Sequence, residues 1–314
     1  MKQLFSVIFL SLVFFCNAQK DSTTGPYYKK YLNKLSVDAF TLSRSNEFEI
    51  YNETKDKRLA LIPNRKTTLG FSANYDILAF GFSFAPKFIT QNKDNKNSTL
   101  YSFSTALTPG KWIHKLDVFY QKGMTFYPEE ADKIYIPDLK SFKIGGKTSY
   151  NFNENFSWRA RNFGNERQLK NAGSFIPSLF YNYTSLQDIE EVPYSTKSKF
   201  INIAIAPAYY YNWVINDHFL VSGGLSVGLG MTQTIASGNN ITSLLTTSSL
   251  DFSLGYHSDN FFGGIISRGT IQKRPNSANA IANDTTRYFS FIVGYRFNAP
   301  KALKNFVGNL KEKL

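Results

Sequence analysis

The 314-residue chain has a single cysteine, Cys16. A disulfide framework needs pairs, so none is available beyond that position. Histidine is almost as scarce, with three residues: His114, His218 and His257. That leaves little material for a metal site or a His-driven hydrolase. After the first twenty residues no apolar run approaches the ~20 residues of a membrane-spanning helix. Acidic residues are also in deficit, 23 against 36 Lys and Arg, for a net charge of +13.

The one long apolar run opens the chain. Lys2 is a short positive start, 4–15 is apolar, and Cys16-Asn17-Ala18 forms a small-residue cleavage site before Gln19. This reads as a secretory signal, since the run is too short to span a bilayer. For an exported chain the basic excess points away from nucleic acid. It points toward the phosphates of outer-membrane lipid and lipopolysaccharide, or toward an anionic solute. Aromatics make up 16%, with 29 Phe and 19 Tyr but only 3 Trp. Transmembrane barrels use such residues in girdles at both interfaces.

The pattern that organises the rest is 219–232, FLVSGGLSVGLGMT. Phe219, Val221, Gly223, Leu225, Val227, Leu229 and Met231 alternate with Leu220, Ser222, Gly224, Ser226, Gly228, Gly230 and Thr232. A period of two puts an apolar set on one face of a strand and a small or polar set on the other. About ten such residues cross the hydrocarbon as a tilted strand. The same alternation recurs at Leu69–Phe71–Ala73–Tyr75, Leu78–Phe80–Phe82–Phe84, Ile201–Ile203–Ile205 and Phe289–Phe291–Val293–Tyr295–Phe297. The fold class is therefore all-β, a transmembrane antiparallel β-barrel in the outer membrane.

Short turns fall near 76, 110, 154, 217 and 259, and longer polar segments near 53–65, 91–98, 127–138, 186–197, 233–240 and 272–284. Barrels keep short turns in the periplasm and long loops outside. The two classes alternate only if 156–185 is one crossing rather than two, which gives roughly twelve strands with both termini periplasmic. The expected organisation is a signal at 1–18, a periplasmic lead at 19–38, the barrel at 39–297 and a tail at 298–314. In the tail, Pro300 suits a helix start, and Leu303, Phe306, Val307, Leu310 and Leu314 share one helical face among lysines. A short basic amphipathic helix is expected, on the inner leaflet or packed on the barrel mouth. The last strand ends on aromatic Phe297, resembling the signal read by the barrel-assembly machinery, which makes that machinery an expected partner.

Two segments carry a family resemblance. One is Leu61-Ile62-Pro63-Asn64 followed by Leu69-Gly70-Phe71 and Tyr75. The other is Asn155-Phe156-Ser157-Trp158-Arg159 followed by Gln168-Leu169-Lys170-Asn171-Ala172-Gly173-Ser174-Phe175. They resemble a family of Gram-negative outer-membrane barrels, domain of unknown function four-four-two-one. The resemblance implies the barrel and its address, and supplies no site residue.

Candidate chemistry lies in the lumen. His257 and Ser258 are adjacent, so on a strand they point to opposite faces and cannot pair as base and nucleophile. No phosphate-cradling glycine motif or metal spacing appears, so no cofactor is expected, and a lipid-modifying outer-membrane enzyme ranks behind the non-catalytic readings. If Asn153-Glu154-Asn155 is a three-residue hairpin loop, Ser149 faces Arg159 and Lys147 faces Arg161, with Lys143 further along the same inward face. Like charges opposed across a sheet are unfavourable unless neutralised. Asp117 and Asp251 are inward acids that could neutralise them. The cluster Lys143, Lys147, Arg159 and Arg161 is thus either an anion-attracting, porin-like constriction or part of an internal salt-bridge network. A scaffold docking periplasmic partners through Tyr27–Tyr31 and the tail is the third reading.

Overall fold

A backbone amide in lipid has no water to bond, so a strand can cross only if both its edges are paired. The sequence must therefore supply a closed ring, and it does. The computed structural model describes residues 27–52, 57–63, 66–89, 98–127, 134–187, 198–236, 239–277 and 280–313. The expected signal and most of the expected loops at 91–98 and 186–197 lie outside the described residues; 57–63, 233–236, 239–240, 272–277 and 280–284, expected as loop, are strand instead, because neighbouring strands go on pairing through them.

The first strands are β1 (Tyr28–Lys30), β2 (Lys34–Asn52), β3 (Lys57–Pro63), β4 (Lys66–Tyr75), β5 (Leu78–Phe84) and β6 (Thr99–Leu107). Next come β7 (Trp112–Tyr127), β8 (Ile134–Tyr150), the single-turn helix α1 (Trp158–Arg161), β9 (Glu166–Gln168), β10 (Ala172–Phe175) and β11 (Ser178–Gln187). The rest are β12 (Ser198–Ala206), β13 (Ala208–Ile215), β14 (Phe219–Ala236), β15 (Asn239–His257), β16 (Phe261–Ser277), β17 (Ala280–Asn298) and α2 (Lys301–Lys311).

Antiparallel pairing runs β2-β4-β5-β6-β7-β8-β11-β12-β14-β15-β16-β17, and β17 returns to β2 from Ala280↔Asn52 to Asn298↔Lys34, closing a ring of 12 strands. Pro207 has no amide hydrogen to give, and β12 passes into β13 there. Likewise β10 and β11 form one crossing around Pro177. The crossing expected within 156–185 is thus single, but it occupies 172–187. β2 begins at Lys34, before the expected start, because Val37 and Leu35 carry its outward parity down past Asp38.

Residue parity sorts the wall as the pattern requires. Leu225, Val227 and Leu229 are 57%, 58% and 62% exposed, while Ser222 and Thr232 are both 0% exposed. Aromatics crowd the outer face where the short turns lie: Phe219 packs on Tyr256, and Tyr295 on Phe297. Glycines on the inner face make room for rings. A Cβ on Gly224 would sit 2.0 Å from the Tyr210 ring, and one on Gly255 would sit 2.2 Å from that of Phe163.

The ring changes its strand count along its length. β7 pairs with β6 up to Lys122↔Thr99, then with β3 from Met124↔Pro63. On the other side β3 pairs with β2 above the stretch that pairs with β4. β5 and β6 therefore end part-way, and β3 closes the wall above them. The switch falls at Gly123, whose φ of 83° produces a bulge that a side chain would resist.

The tail helix α2 packs on the short-turn rim. Val307 is buried, and Leu303 and Leu310 lie against Tyr75, Ile77 and Leu107. Lys311 reaches Asp76 at 2.8 Å. Among the described residues no helix is long and apolar enough to cross a membrane.

Parity can be tested on neighbouring residues of β14. Val227→Arg, facing lipid, is expected to destabilise the inserted barrel by about 2–4 kcal/mol. Ser226→Ala, which faces the lumen and loses one hydroxyl contact to Ser249, should cost about 1 kcal/mol. Denaturant titration in lipid vesicles reads both, and equal losses would contradict the assignment of faces.

Candidate functional site

The lumen is built by three devices: an inward fold of the chain, a row of paired charges and an apolar layer. The fold begins where β8 ends. Tyr150 and Phe152 donate backbone hydrogens to Pro177 and Phe175 carbonyls, holding the chain briefly beside β10. Asn153 then accepts from the Asn155 amide through its own side chain and donates to the Gly173 carbonyl, which turns the chain into the bore. Ser157 caps α1 by accepting from Ala160. β9 pairs with β1, so residues 151–171 and 27–31 together form an inner plug at the short-turn end.

This corrects the expected hairpin. The 156–161 stretch does not return along β8, so Arg159 and Arg161 do not face Ser149 and Lys147. Ser149 pairs with Ser178 and Ile113, and Lys147 with Phe180 and Lys115. The physical reason is burial on both sides. Phe156, Trp158, Ala160 and Arg161 are all enclosed, the first two against Ile113, Ile176 and Tyr210. A short run of alternating apolar residues fits a wall strand and an enclosed turn equally well.

Hydrogen bonds within the plug converge on Gln168. Its amide oxygen accepts from the Ser157 amide at 2.8 Å and from Asn212 at 3.0 Å, and its nitrogen donates to the Asn155 carbonyl at 2.7 Å. Arg159 fixes the plug to the wall, donating to Thr108 Oγ1 at 2.7 Å and to the Thr108 carbonyl at 2.8 Å, with Glu166 at 3.3 Å. Arg296 donates to the carbonyls of Gly164 and Ser258 and lies over the Tyr31 ring. At the rim, Asp259 accepts from Lys29 and Tyr31, both at 2.9 Å, with Arg167 at 3.6 Å. The Lys29 bond, with Tyr31 and Arg167 behind it, holds the Asp259 carboxyl below its usual range. Burial, then the bond to Asp259, pushes the Tyr31 phenol up to about 12.

Above the plug lies a cavity of about 240 Å³. One cross-strand row along its wall reads Arg44, Tyr288, Arg268, Asp251, Gly224, Tyr210. Arg268 is hydrogen-bonded to Asp251, and Arg161 reaches the same carboxylate at 3.7 Å from the plug. Arg161 also lies 4.7 Å from the ring centres of Trp158 and Tyr210 and donates to Ser222. On the facing wall Lys143 bonds Asp284 at 3.1 Å, and Lys115 is 4.0 Å from Asp117. Lys147 lies over the Trp158 ring at 5.2 Å.

Of the expected lumen residues, the structure brings Lys143, Lys147, Asp117 and Asp251 to this cavity. Arg161 stands behind Asp251, and Arg159 is spent on Thr108 and Glu166 at the rim. Arg44, Lys115 and Arg268 were not singled out from the sequence. Lys115 shares its parity with Asp117, and Arg268 lies in a strand already recognised, so extending inward parity to every strand would have found them. Toward the long loops the bore is filled by Leu100, Phe119, Met124, Leu139, Phe200 and Leu245. The three histidines each stack on an aromatic ring: His114 on Trp112, His218 on Tyr256 and His257 on Phe163.

The family described as a domain of unknown function (DUF4421) matches residues 19–297. The chain belongs to that family. No curated protein matches it. Among solved structures, this DUF4421 chain is similar to an outer-membrane channel from Pseudomonas putida F1, at 8% identity and TM-score 0.39, covering 88% of this chain and 100% of that one. It is similar to the β domain of the Bordetella autotransporter BrkA at 7% identity and TM-score 0.41, covering 85% and 100%. It is similar to the outer-membrane protease OmpT from Escherichia coli at 9% identity and TM-score 0.30, covering 90% and 100%. Likeness at this level says nothing of what the DUF4421 barrel does.

Two outcomes follow from the plug of this DUF4421 barrel. Gln168→Leu strips the acceptor from two enclosed donors, each worth about 1–3 kcal/mol when orphaned. The folded barrel should then be cut by protease within 151–171 at least tenfold faster. Asp259 sets a pH dependence: its depressed pKa means the tie is present above the ordinary carboxylate range and is lost as pH falls through the folded value. Protease sensitivity of the plug should rise on acidification below about pH 4, and Asp259→Asn should be sensitive already at neutral pH with a flattened response.

Proposed function

We propose that this outer-membrane barrel is of the transport class, handles anionic solutes, and is shut in the state described. The carrying observation is the charge of the chamber. Five cations line it, Arg44, Lys115, Lys143, Lys147 and Arg268, against two lining carboxylates, Asp117 and Asp251. A narrow chamber with low-dielectric walls focuses that imbalance and draws in anions. The plug is joined to the wall by side-chain hydrogen bonds and rings, an attachment that can be released without breaking the ring of strands. The reading takes the protein as non-catalytic: each histidine is stacked on an aromatic neighbour, and among the described residues none is hydrogen-bonded to a serine.

The filled bore also favours a second reading, a structural barrel that docks envelope partners. Phe306 on α2 is 61% exposed beside lysines, and α2 would be the docking element. Deleting 299–314 and finding envelope complexes unchanged counts against it.

Planar-bilayer recording separates the readings. The native protein should show no open-channel steps. A variant released at both ends (Gln168→Leu and Arg159→Ala in the plug, Phe119→Ala and Leu139→Ala above the chamber) should conduct, with a reversal potential displaced toward anions in a salt gradient. A released barrel that prefers cations, or has no preference, overturns the transport reading for anions.

A further inference from the structure

The chamber has features of a binding site as well as of a charged passage. Lys115 and Lys147 are direct cross-strand partners, two like charges held side by side. Such a pair is unfavourable unless a counter-charge sits between them. Lys147 has no carboxylate within 4.0 Å among the described residues, and Lys115 has only Asp117 at that limit. Five cations face the chamber, while the carboxylates in reach of them are Asp117, Asp251 and Asp284. At least two positive charges are thus uncompensated, and Arg161 adds a further cation on Asp251.

Enclosed polar atoms aim into the same space without a protein partner. They include Nε2 of Gln272, which is 2% exposed, and Nδ2 of Asn182 at 6%. Enclosed polar groups are nearly always bonded, so donors left over around a cationic chamber specify an acceptor-rich occupant. Hydroxyls of Ser83, Ser104, Ser249 and Thr270 also line the chamber. A second cavity of about 170 Å³ runs between the plug and β4–β6, reaches the Asp76–Ile77 turn, and shares Phe40, Lys115 and Tyr288 with the chamber.

We propose that the closed barrel holds one small oxyanion of two negative charges, a phosphate or a dicarboxylate, between Lys115 and Lys147, with Arg44 and Arg268 completing the shell. This rests on the anionic-solute reading and names what that chamber retains. Two charges match the uncompensated excess, and oxygen acceptors match the leftover N–H donors of Gln272 and Asn182. A chloride ion supplies one charge and no fixed array of acceptors, so the site discriminates against it.

The test uses the full mature chain folded in detergent at pH 8 and constant ionic strength. Inorganic phosphate, succinate and chloride are compared as probes by calorimetric titration and by thermal stabilisation. Saturable one-to-one binding of phosphate or succinate, at least tenfold tighter than chloride, is expected; whichever of the two binds more tightly identifies the class. Lys147→Gln should weaken that binding at least tenfold. If Lys147→Gln fails to fold, Lys115→Gln carries the same expectation. Equal effects of the three anions, or native affinity in the lysine variants, overturns the proposal. Conductance after release at both ends is read independently. An anion-selective released barrel with no retained dianion sinks this inference alone, and a bound dianion in a barrel that never conducts anions sinks the transport reading alone.

Discussion

Everything in the structure depends on the pairing of β2 with β17. Nineteen successive residue pairs, from Asn52↔Ala280 to Lys34↔Asn298, turn an open sheet into a ring. In hydrocarbon an unpaired edge costs several kcal/mol for each exposed amide, so the ring is a condition for being in the membrane at all. Closure then fixes which side of every strand meets lipid. Once Leu225 and Val227 face out, Gly224 and Ser226 have to face in, and the interior is whatever those inward positions make it. A polar, small-residue interior cannot collapse on itself as a soluble core does. It must be bridged by long charged side chains, by rings seated against glycine, or by a piece of the chain itself, and this barrel uses all three.

The inward charges show how those demands compete. Asp251 is reached by Arg268 from the neighbouring strand and by Arg161 from the plug, so one carboxylate joins wall to insert. Enclosed ion pairs of this sort add little net stability over apolar packing, because each charge leaves water at a cost. Their value is in register: Arg161 fits only where Asp251, Ser222, Trp158 and Tyr210 meet. Lys115 and Lys147 are the opposite case, a juxtaposition that folding energetics alone would disfavour. Sites that violate a local packing rule are where function is sought first.

Much of this was legible in the residues. Period-two alternation is an intrinsic signal of a two-faced wall, and the long alternating runs of β14, β15 and β17 gave both the strands and their faces. Counting short turns against long segments gave twelve crossings, because that rule concerns topology and tolerates an unreadable stretch. The 156–168 segment was not legible. Its Phe156, Ser157, Trp158, Arg159 alternation is a wall pattern by composition, and only the enclosure of both faces separates it from one. Its turn-and-cap residues, Asn153, Asn155 and Ser157, were a local signal for leaving the sheet, though Asn-rich turns equally serve hairpins. The lumen set was half legible. Parity placed Lys143, Lys147, Asp117 and Asp251 inside, but which charges meet depends on cross-barrel geometry that no strand encodes by itself. Arg159 was misassigned for that reason: its partner Thr108 is on a distant turn.

The handover at Gly123 has a further effect on how the two ends are stoppered. Barrel diameter grows with strand number, so losing β5 and β6 draws the vessel in toward a neck. At the neck a handful of side chains such as Met124, Leu139 and Phe200 suffices as a cork, and these can swing aside by changing rotamer. The wide base needs a whole folded insert, which must undock as a unit. A bottle of this shape has a quick cork and a slow base, and its leak rate would be set by the base alone.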